Sequence, residues 1–177
     1  MALLDPYIRR WKIAYFLEPL PKDSRILEVG CGDGWLGRYC RAHGWNGYVS
    51  LDLHPPADYI GDIREWWRLG LRSASFDAVV AFEVIEHVPC YRELYDLLKP
   101  GGLLLVTSPV PSRDWICAWL ERCGILQKRT SPHDFLIDFR RMPLFEPVSI
   151  RRPFGLVQWG IFRKPLDEEA ACGPPLS

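Results

Sequence analysis

ILEVGCGDG, residues Ile26 to Gly34, is an apolar run that passes directly into glycines at positions 30, 32 and 34. Ile26, Leu27 and Val29 suit a strand buried on both faces of a parallel sheet. The glycines that follow make a turn with no Cβ to keep a ligand away. Trp35, Leu36, Tyr39 and Cys40 then recur at helical spacing, so the turn lies between a strand and a helix start. Such a loop brings a nucleotide-like ligand against backbone N–H groups at the first switch point of an α/β sheet. The third glycine follows the second by two residues, whereas the dinucleotide fingerprint needs three, and Trp35 stands at that place. An acid, Glu28, lies on the strand itself.

Outward from this stretch, apolar strands alternate with amphipathic helices. Strands are expected at 26–29, 48–53, 59–61, 77–82 and 103–108, with helices at 34–43, 63–69, 89–98 and 113–122. That alternation implies a doubly wound parallel sheet with right-handed crossovers. Ile8, Trp11, Ala14 and Tyr15 mark an N-terminal helix over 6–17, begun by Asp5 and Pro6, whose aromatic stripe packs on the sheet. Val148–Arg152 and Leu156–Arg163 flank Pro153, Phe154 and Gly155 and read as a closing hairpin. Residues 166–177 lack a periodic apolar face and read as a disordered tail.

With 177 residues the chain is one domain of ordinary size, and 22 basic residues balance 22 acidic ones, so no global field favours nucleic acid. The local basic clusters Arg9, Arg10 and Lys12, then Arg140 and Arg141, then Arg151 and Arg152, read as solvated faces. The six cysteines contain no Cys-x-x-Cys pair and read as reduced, mostly buried thiols. Asp5 and Pro6 stand where a signal peptide would need an apolar core, and no apolar run reaches membrane-spanning length, so a soluble cytoplasmic protein is expected.

Five stretches, in chain order, carry a resemblance. Glu28-Val29-Gly30-Cys31-Gly32-Asp33-Gly34 resembles motif I of the class I S-adenosylmethionine-dependent methyltransferases. Tyr48 to Leu53 resembles their second strand with its terminal acid, and Tyr59 to Ile63 the third strand with the Asp that follows. Phe76 to Val88 resembles the fourth strand and its loop, and Leu97 to Val106 the turn and fifth strand. The likeness covers residues 24–110 by motif and the rest by topology. It is similar in particular to the group that includes the ubiquinone-biosynthesis O-methyltransferases. The resemblance implies a seven-stranded Rossmann-like sheet, mostly parallel with an antiparallel C-terminal strand. It implies one domain over 1–165, with an N-terminal helix at 1–21, a cofactor half at 22–110 and an acceptor half at 111–165.

For S-adenosylmethionine and its product S-adenosylhomocysteine, the resemblance implies a cofactor set of Glu28, Gly30, Cys31, Gly32, Asp52, Leu53, Asp62, Ile63, Phe82 and Glu83. Backbone at Gly30, Cys31 and Gly32 would line the amino-acid and ribose portion, with Glu28 beneath the loop. Asp52, 20 residues past Gly32, would accept from the ribose hydroxyls. Leu53, Asp62 and Ile63 would surround the adenine, and Phe82 and Glu83 would face the sulfonium.

Glu83, Glu86 and His87 share one turn, and His133 enters after the fifth strand's helix. These four resemble the metal-binding set of the small-RNA 3′-terminal 2′-O-methyltransferases and the matching run of the ubiquinone enzymes. A Mg²⁺ or Mn²⁺ site is the corresponding expectation, with His87 and His133 as catalytic candidates. The same run also occurs in class I methyltransferases without metal, where the His packs beside the cofactor. Phe135 stands where the RNA enzymes carry a further His. A small-molecule or glycan- or lipid-linked hydroxyl is therefore the expected acceptor, in preference to nucleic acid. The pocket is expected to be open, roofed by the N-terminal helix and the 127–142 loop, or completed by a second subunit of a homodimer. Competing classes are a non-catalytic S-adenosylmethionine-binding protein and a nicotinamide-dependent oxidoreductase. The latter would need the absent glycine spacing and a hydride-transfer apparatus that the chain does not display.

Overall fold

A computed structural model describes residues 4–123 and 133–166. Seven strands form one sheet: β1 Ile26–Val29, β2 Tyr48–Asp52, β3 Tyr59–Ile60, β4 Phe76–Phe82, β5 Leu98–Pro109, β6 Glu146–Arg151 and β7 Val157–Arg163. Their order is β3-β2-β1-β4-β5-β7-β6, parallel from β3 to β5. The expected hairpin is present, and β7 runs antiparallel between β5 and β6. β1 is an interior strand buried at every residue, as Ile26, Leu27 and Val29 require, with Glu28 buried among them.

The alternation along the strands sorts side chains onto two faces. Leu27, Val29, Val79, Ala81, Leu104 and Val106 pack with Leu94 and Tyr95 of helix α3, Tyr91–Leu97, and with Phe145 and Phe162. Ile26, Ala78, Val80 and Leu105 pack with Leu36 and Cys40 of helix α2, Trp35–Ala42, and with Trp45 and Trp159. Both faces are covered, which makes the sheet doubly wound.

The expected N-terminal helix divides into α1, Asp5–Lys12, and a π-turn over Ile13–Leu17 closed by the Glu18 N–H donating to the Ile13 carbonyl at 3.1 Å. Phe16 and Leu17 bury almost completely against the second face. Each such burial contributes about 1.5–3 kcal/mol, well above the ~0–1 kcal/mol of an exposed ion pair. Apolar packing therefore docks this helix, as its stripe predicts. Trp11 departs from that stripe: it is 48% exposed and lies against Phe154, ring centroids 5.9 Å apart.

Boundaries elsewhere shift by one to five residues. β5 begins at Leu98, earlier than expected, because Leu98 pairs with Phe76 before the register shifts near Gly101, where φ is 76°. Helix α4 covers Asp114–Arg122 after a 3₁₀ turn at Pro111–Arg113. Most of the expected tail, the first part of the 127–142 loop and Cys172 lie outside the described residues. Cys31, Cys40, Cys90 and Cys117 are buried thiols outside any disulfide, and Cys123 is exposed.

Candidate functional site

The chain runs outward from β1 through β2 to β3, then returns to place β4 on the other side of β1. A crevice forms at the carboxyl ends of strands flanking such a reversal. The glycine loop leaves β1 there. Gly30, Gly32 and Gly34 all have positive φ, at 74°, 52° and 69°. A Cβ on Gly30 would stand 2.5 Å from Val84 Cγ2, whereas one on Gly32 would meet nothing within 4 Å. The loop is thus packed at its first glycine and open to the crevice at its second, which suits close approach by a ligand.

Asp52, at the end of β2, accepts from the Gly32 N–H at 3.0 Å and the His54 N–H at 3.1 Å, one on each carboxylate oxygen. Each oxygen keeps a second lone pair for a ligand hydroxyl. Cys31 is buried, with its thiol pushed up to about 11 by burial and the Glu28 charge. Glu28 lies beneath the loop, 2% exposed, and accepts from the Tyr48 hydroxyl. Burial pushes its carboxyl up to about 8, against the pull of that hydrogen bond and of Lys12.

Leu53 is exposed beyond β2, and Ile63 is buried in the first face of the core. Asp62 is the N-cap of the 3₁₀ segment Ile63–Leu69 and pairs with the Arg64 guanidinium at 2.6 Å. Those hydrogen bonds hold its carboxyl below the usual carboxylate range. Asp62 thus has a structural partner, and an adenine amino group would share it with Arg64.

Glu83 directly follows β4 with φ 56°, an uncommon conformation for a residue with a Cβ. The Thr107 hydroxyl donates to its Oε1 at 2.6 Å, and Lys12 Nζ donates to the same oxygen at 3.3 Å and to Thr107 Oγ1 at 3.2 Å. Lys12 also lies over the Phe82 ring, 4.7 Å from its centroid. Crowding by protein raises the Glu83 carboxyl, but Lys12, Thr107 and Glu86 outweigh this and hold it below the ordinary glutamate range. The solvated-face reading of the first basic cluster is corrected at two residues. Lys12 is 9% exposed, and Arg9 pairs with Asp33 of the glycine loop at 3.0 Å. The apolar stripe faces the core, and the basic residues of the same helix fall beside the acids at the carboxyl edge.

On the other side of Glu83, the turn closed by the Val84 carbonyl carries Glu86 and His87. The Phe135 N–H donates to the Glu86 carbonyl at 3.0 Å, which pins the 133–138 segment against this turn. The His87 and His133 rings lie 4.9 Å apart at 57°. One ligand atom from each of Glu86, His87 and His133 falls within 4.8 Å of the others. Glu83 lies outside this three-residue group. Glu86 is fully buried, and neither carboxyl oxygen accepts a hydrogen bond from a neighbouring group, although its carboxyl lies close enough to Glu83 to influence that group's ionisation. Burial, with the Glu83 charge nearby, pushes it up to about 9. An orphaned buried carboxyl beside two imidazoles is a donor set that fits a hard or borderline divalent cation. His133 Nδ1 lies 2.8 Å from Asp114 Oδ1.

Residue reading alone missed Lys12, Thr107, Tyr48 and Asp114. Lys12 had a detectable signal, since it lies on the helix whose apolar stripe must face the sheet. Asp114 had none, because only chain folding brings it to His133. A cavity of about 300 Å³ lined by Arg25, Gly47, Tyr59, Ser75 and Phe76 opens at the amino ends of the strands, opposite this site.

Strand order, an open glycine loop after β1 and an acid at the end of β2 define a doubly wound α/β domain with a crevice at its carboxyl edge. The chain belongs to the family of S-adenosylmethionine-dependent methyltransferase domains of class I, and the model of a methyltransferase domain matches residues 5–154. It is 30% identical over 113 residues to a tRNA (carboxymethyluridine(34)-5-O)-methyltransferase of Arabidopsis thaliana, covering 55% of this chain and 27% of that protein. It is 30% identical over 122 residues to a ubiquinone biosynthesis O-methyltransferase of Xylella fastidiosa, covering 55% and 47%. The chain therefore spans between about a quarter and a half of these relatives. An S-adenosylmethionine-dependent methyltransferase from Mesorhizobium loti has the same fold, with TM-score 0.56, 18% identity and coverage of 91% and 97%. Among the described residues, no helix is long and apolar enough to cross a membrane.

Proposed function

We propose that this domain transfers a methyl group from S-adenosylmethionine to a hydroxyl oxygen of a small-molecule or glycan- or lipid-linked acceptor. The observation that carries this reading is the convergence of Glu86, His87 and His133 beside Glu83 at the carboxyl edge. The cofactor supplies an electrophilic methyl on a sulfonium, and the chain's residues hold, orient and shield it. Backbone at Gly30, Cys31 and Gly32 leaves room for its amino-acid and ribose portion, and Asp52 offers lone pairs to the ribose hydroxyls. Leu53, Asp62 and Ile63 border the adenine, and Phe82 with the Glu83 carboxylate suits the positive sulfur. Catalysis of such a displacement is chiefly positioning, together with removal of the hydroxyl proton. Both relatives named above carry an O-methyltransferase name, which supports oxygen as the acceptor atom. A net charge of zero favours acceptors other than a polyanion.

Glu86, His87 and His133 would hold Mg²⁺ or Mn²⁺, where a cation would lower the pKa of an acceptor hydroxyl. Glu83, bound by Lys12 and Thr107, would face the cofactor. The orphaned Glu86 carboxyl supports the metal.

A labelled-methyl screen across phenols, sugar nucleotides, nucleic acids and peptides tests the function. Incorporation into a hydroxyl is expected, and incorporation into nitrogen alone overturns the oxygen assignment. Chelation is expected to abolish turnover, leave cofactor affinity intact and be reversed by Mn²⁺. Turnover that survives chelation removes the metal.

A further inference from the structure

We propose that Asp114 is a positioning residue that fixes the tautomer of His133 and leaves its Nε2 lone pair for the acceptor end of the site. What that lone pair serves rests on the hydroxyl-methylating reading; the tautomer itself does not. Asp114 is the first residue of α4, where a side-chain oxygen commonly caps or neutralises the helix start. Here no side chain caps the helix through the N-cap position, and Asp114 Oδ1 is instead 2.8 Å from His133 Nδ1. The pair is shielded, with side-chain exposures of 20% for Asp114 and 6% for His133. A carboxylate only accepts, and a neutral imidazole carries one N–H, so Nδ1 bears the hydrogen and Nε2 the lone pair.

The support around the pair is anchored from several sides. Arg113 Nη1 donates to the Gly155 carbonyl at 3.2 Å, which ties the start of α4 to the β6–β7 turn. The Cys117 thiol lies 3.8 Å from the Leu156 carbonyl, one helical turn further along. The Phe135 N–H holds the segment that carries His133 to the Glu86 carbonyl. A ring held on one side by a carboxylate and set beside His87 has its orientation decided before any ligand arrives. Its free lone pair can accept the proton of an acceptor hydroxyl or bind a divalent cation; both need the same tautomer.

Long-range ¹H–¹⁵N spectra of the full ¹⁵N-histidine-labelled chain, at a pH where imidazole is neutral, read the tautomer directly. His133 is expected as the Nδ1–H form. In Asp114→Asn the carboxamide can donate to Nδ1, so the ring should turn over to Nε2–H, and Asp114→Glu should restore the parent form. Affinity for S-adenosylhomocysteine should be unchanged within about twofold in all three, since the Asp114 carboxylate acts here through His133. MnCl₂ separates the two uses: broadening at His133 Nε2 that is lost in Asp114→Asn assigns a cation, and no broadening assigns the proton. On the acceptor returned by the methyl screen, Asp114→Asn should lower kcat by ~10–100-fold with the cofactor KM unchanged. An Nε2–H form in the parent, or a tautomer that Asp114→Asn does not move, overturns the proposal. So does an approximately tenfold loss of S-adenosylhomocysteine affinity, which would place Asp114 in the cofactor cradle. Failure of the parent to bind S-adenosylhomocysteine removes the methyltransferase reading while the tautomer result still stands.

Discussion

The proposed cofactor side and the proposed acceptor side of this domain are built in different ways. Around the cofactor, Gly30, Gly32, Asp52 and Glu83 lie at the ends of three adjacent strands, and much of the recognition surface is backbone. Around Glu83 and the proposed acceptor site, Lys12 comes from α1, Thr107 from β5, Asp114 from α4 and His133 from an irregular segment. Their partners lie far along the chain: 71 residues separate Lys12 from Glu83, and 95 separate it from Thr107. One half is therefore a property of strand ends and glycine conformations. The other is a set of side chains that meet only when separate elements dock. A substitution in the first should strike binding, and one in the second should strike turnover.

The largest effect should come from Gly32→Arg. Its φ of 52° makes any side chain cost about 1–2 kcal/mol, and the space it would enter is open, so the fold should survive. Cofactor binding should fall beyond detection by calorimetry while circular dichroism remains that of the parent. Undiminished binding would break the placement of the cofactor at this loop.

His133→Ala should separate the halves most cleanly. Turnover on the acceptor found by the methyl screen should drop by ~10²–10⁴-fold, the range for loss of a proton-transfer group. S-adenosylhomocysteine affinity by calorimetry should stay near that of the parent. Parallel losses in both would mean that the two halves are one site.

Asp52→Ala should weaken cofactor binding by about 1.5–3 kcal/mol, with part of the loss arising from the Gly32 N–H left without its acceptor. Titration calorimetry against the parent measures it, and an unchanged affinity would assign Asp52 to loop structure alone.

The smallest effect, per pH unit, concerns Glu28. Its folded pKa of about 8 lies above the ordinary 4.5. Between those values the unfolded chain releases the proton and the folded chain keeps it, so stability falls as pH rises, by at most ~1.4 kcal/mol per unit. The decline should end above about pH 8. Glu28→Gln, which can still accept from Tyr48, should flatten the curve and gain on the parent from about pH 5 to 8 in denaturant titrations. Parallel curves would mean that Glu28 ionises normally beneath the loop.

Ile26, Leu27, Val29 and the three glycines determined the central strand, the turn and the crevice by themselves, because strand periodicity and left-handed glycine φ are local properties. The strand–helix alternation and the hairpin around Pro153–Gly155 likewise specified the doubly wound sheet. Lys12 shows where local reading stops: the sequence records a cation in a basic cluster, and only docking of Phe16 and Leu17 carries it under Glu83. Asp62 carries the sequence position of an adenine partner, but the neighbouring Arg64 gives it a competing ion pair. The Asp114–His133 pair and the grouping of His133 with Glu86 and His87 were decided by tertiary structure alone. Side chains on three separate segments have no shared period along the chain, and their contacts depend on packing between elements.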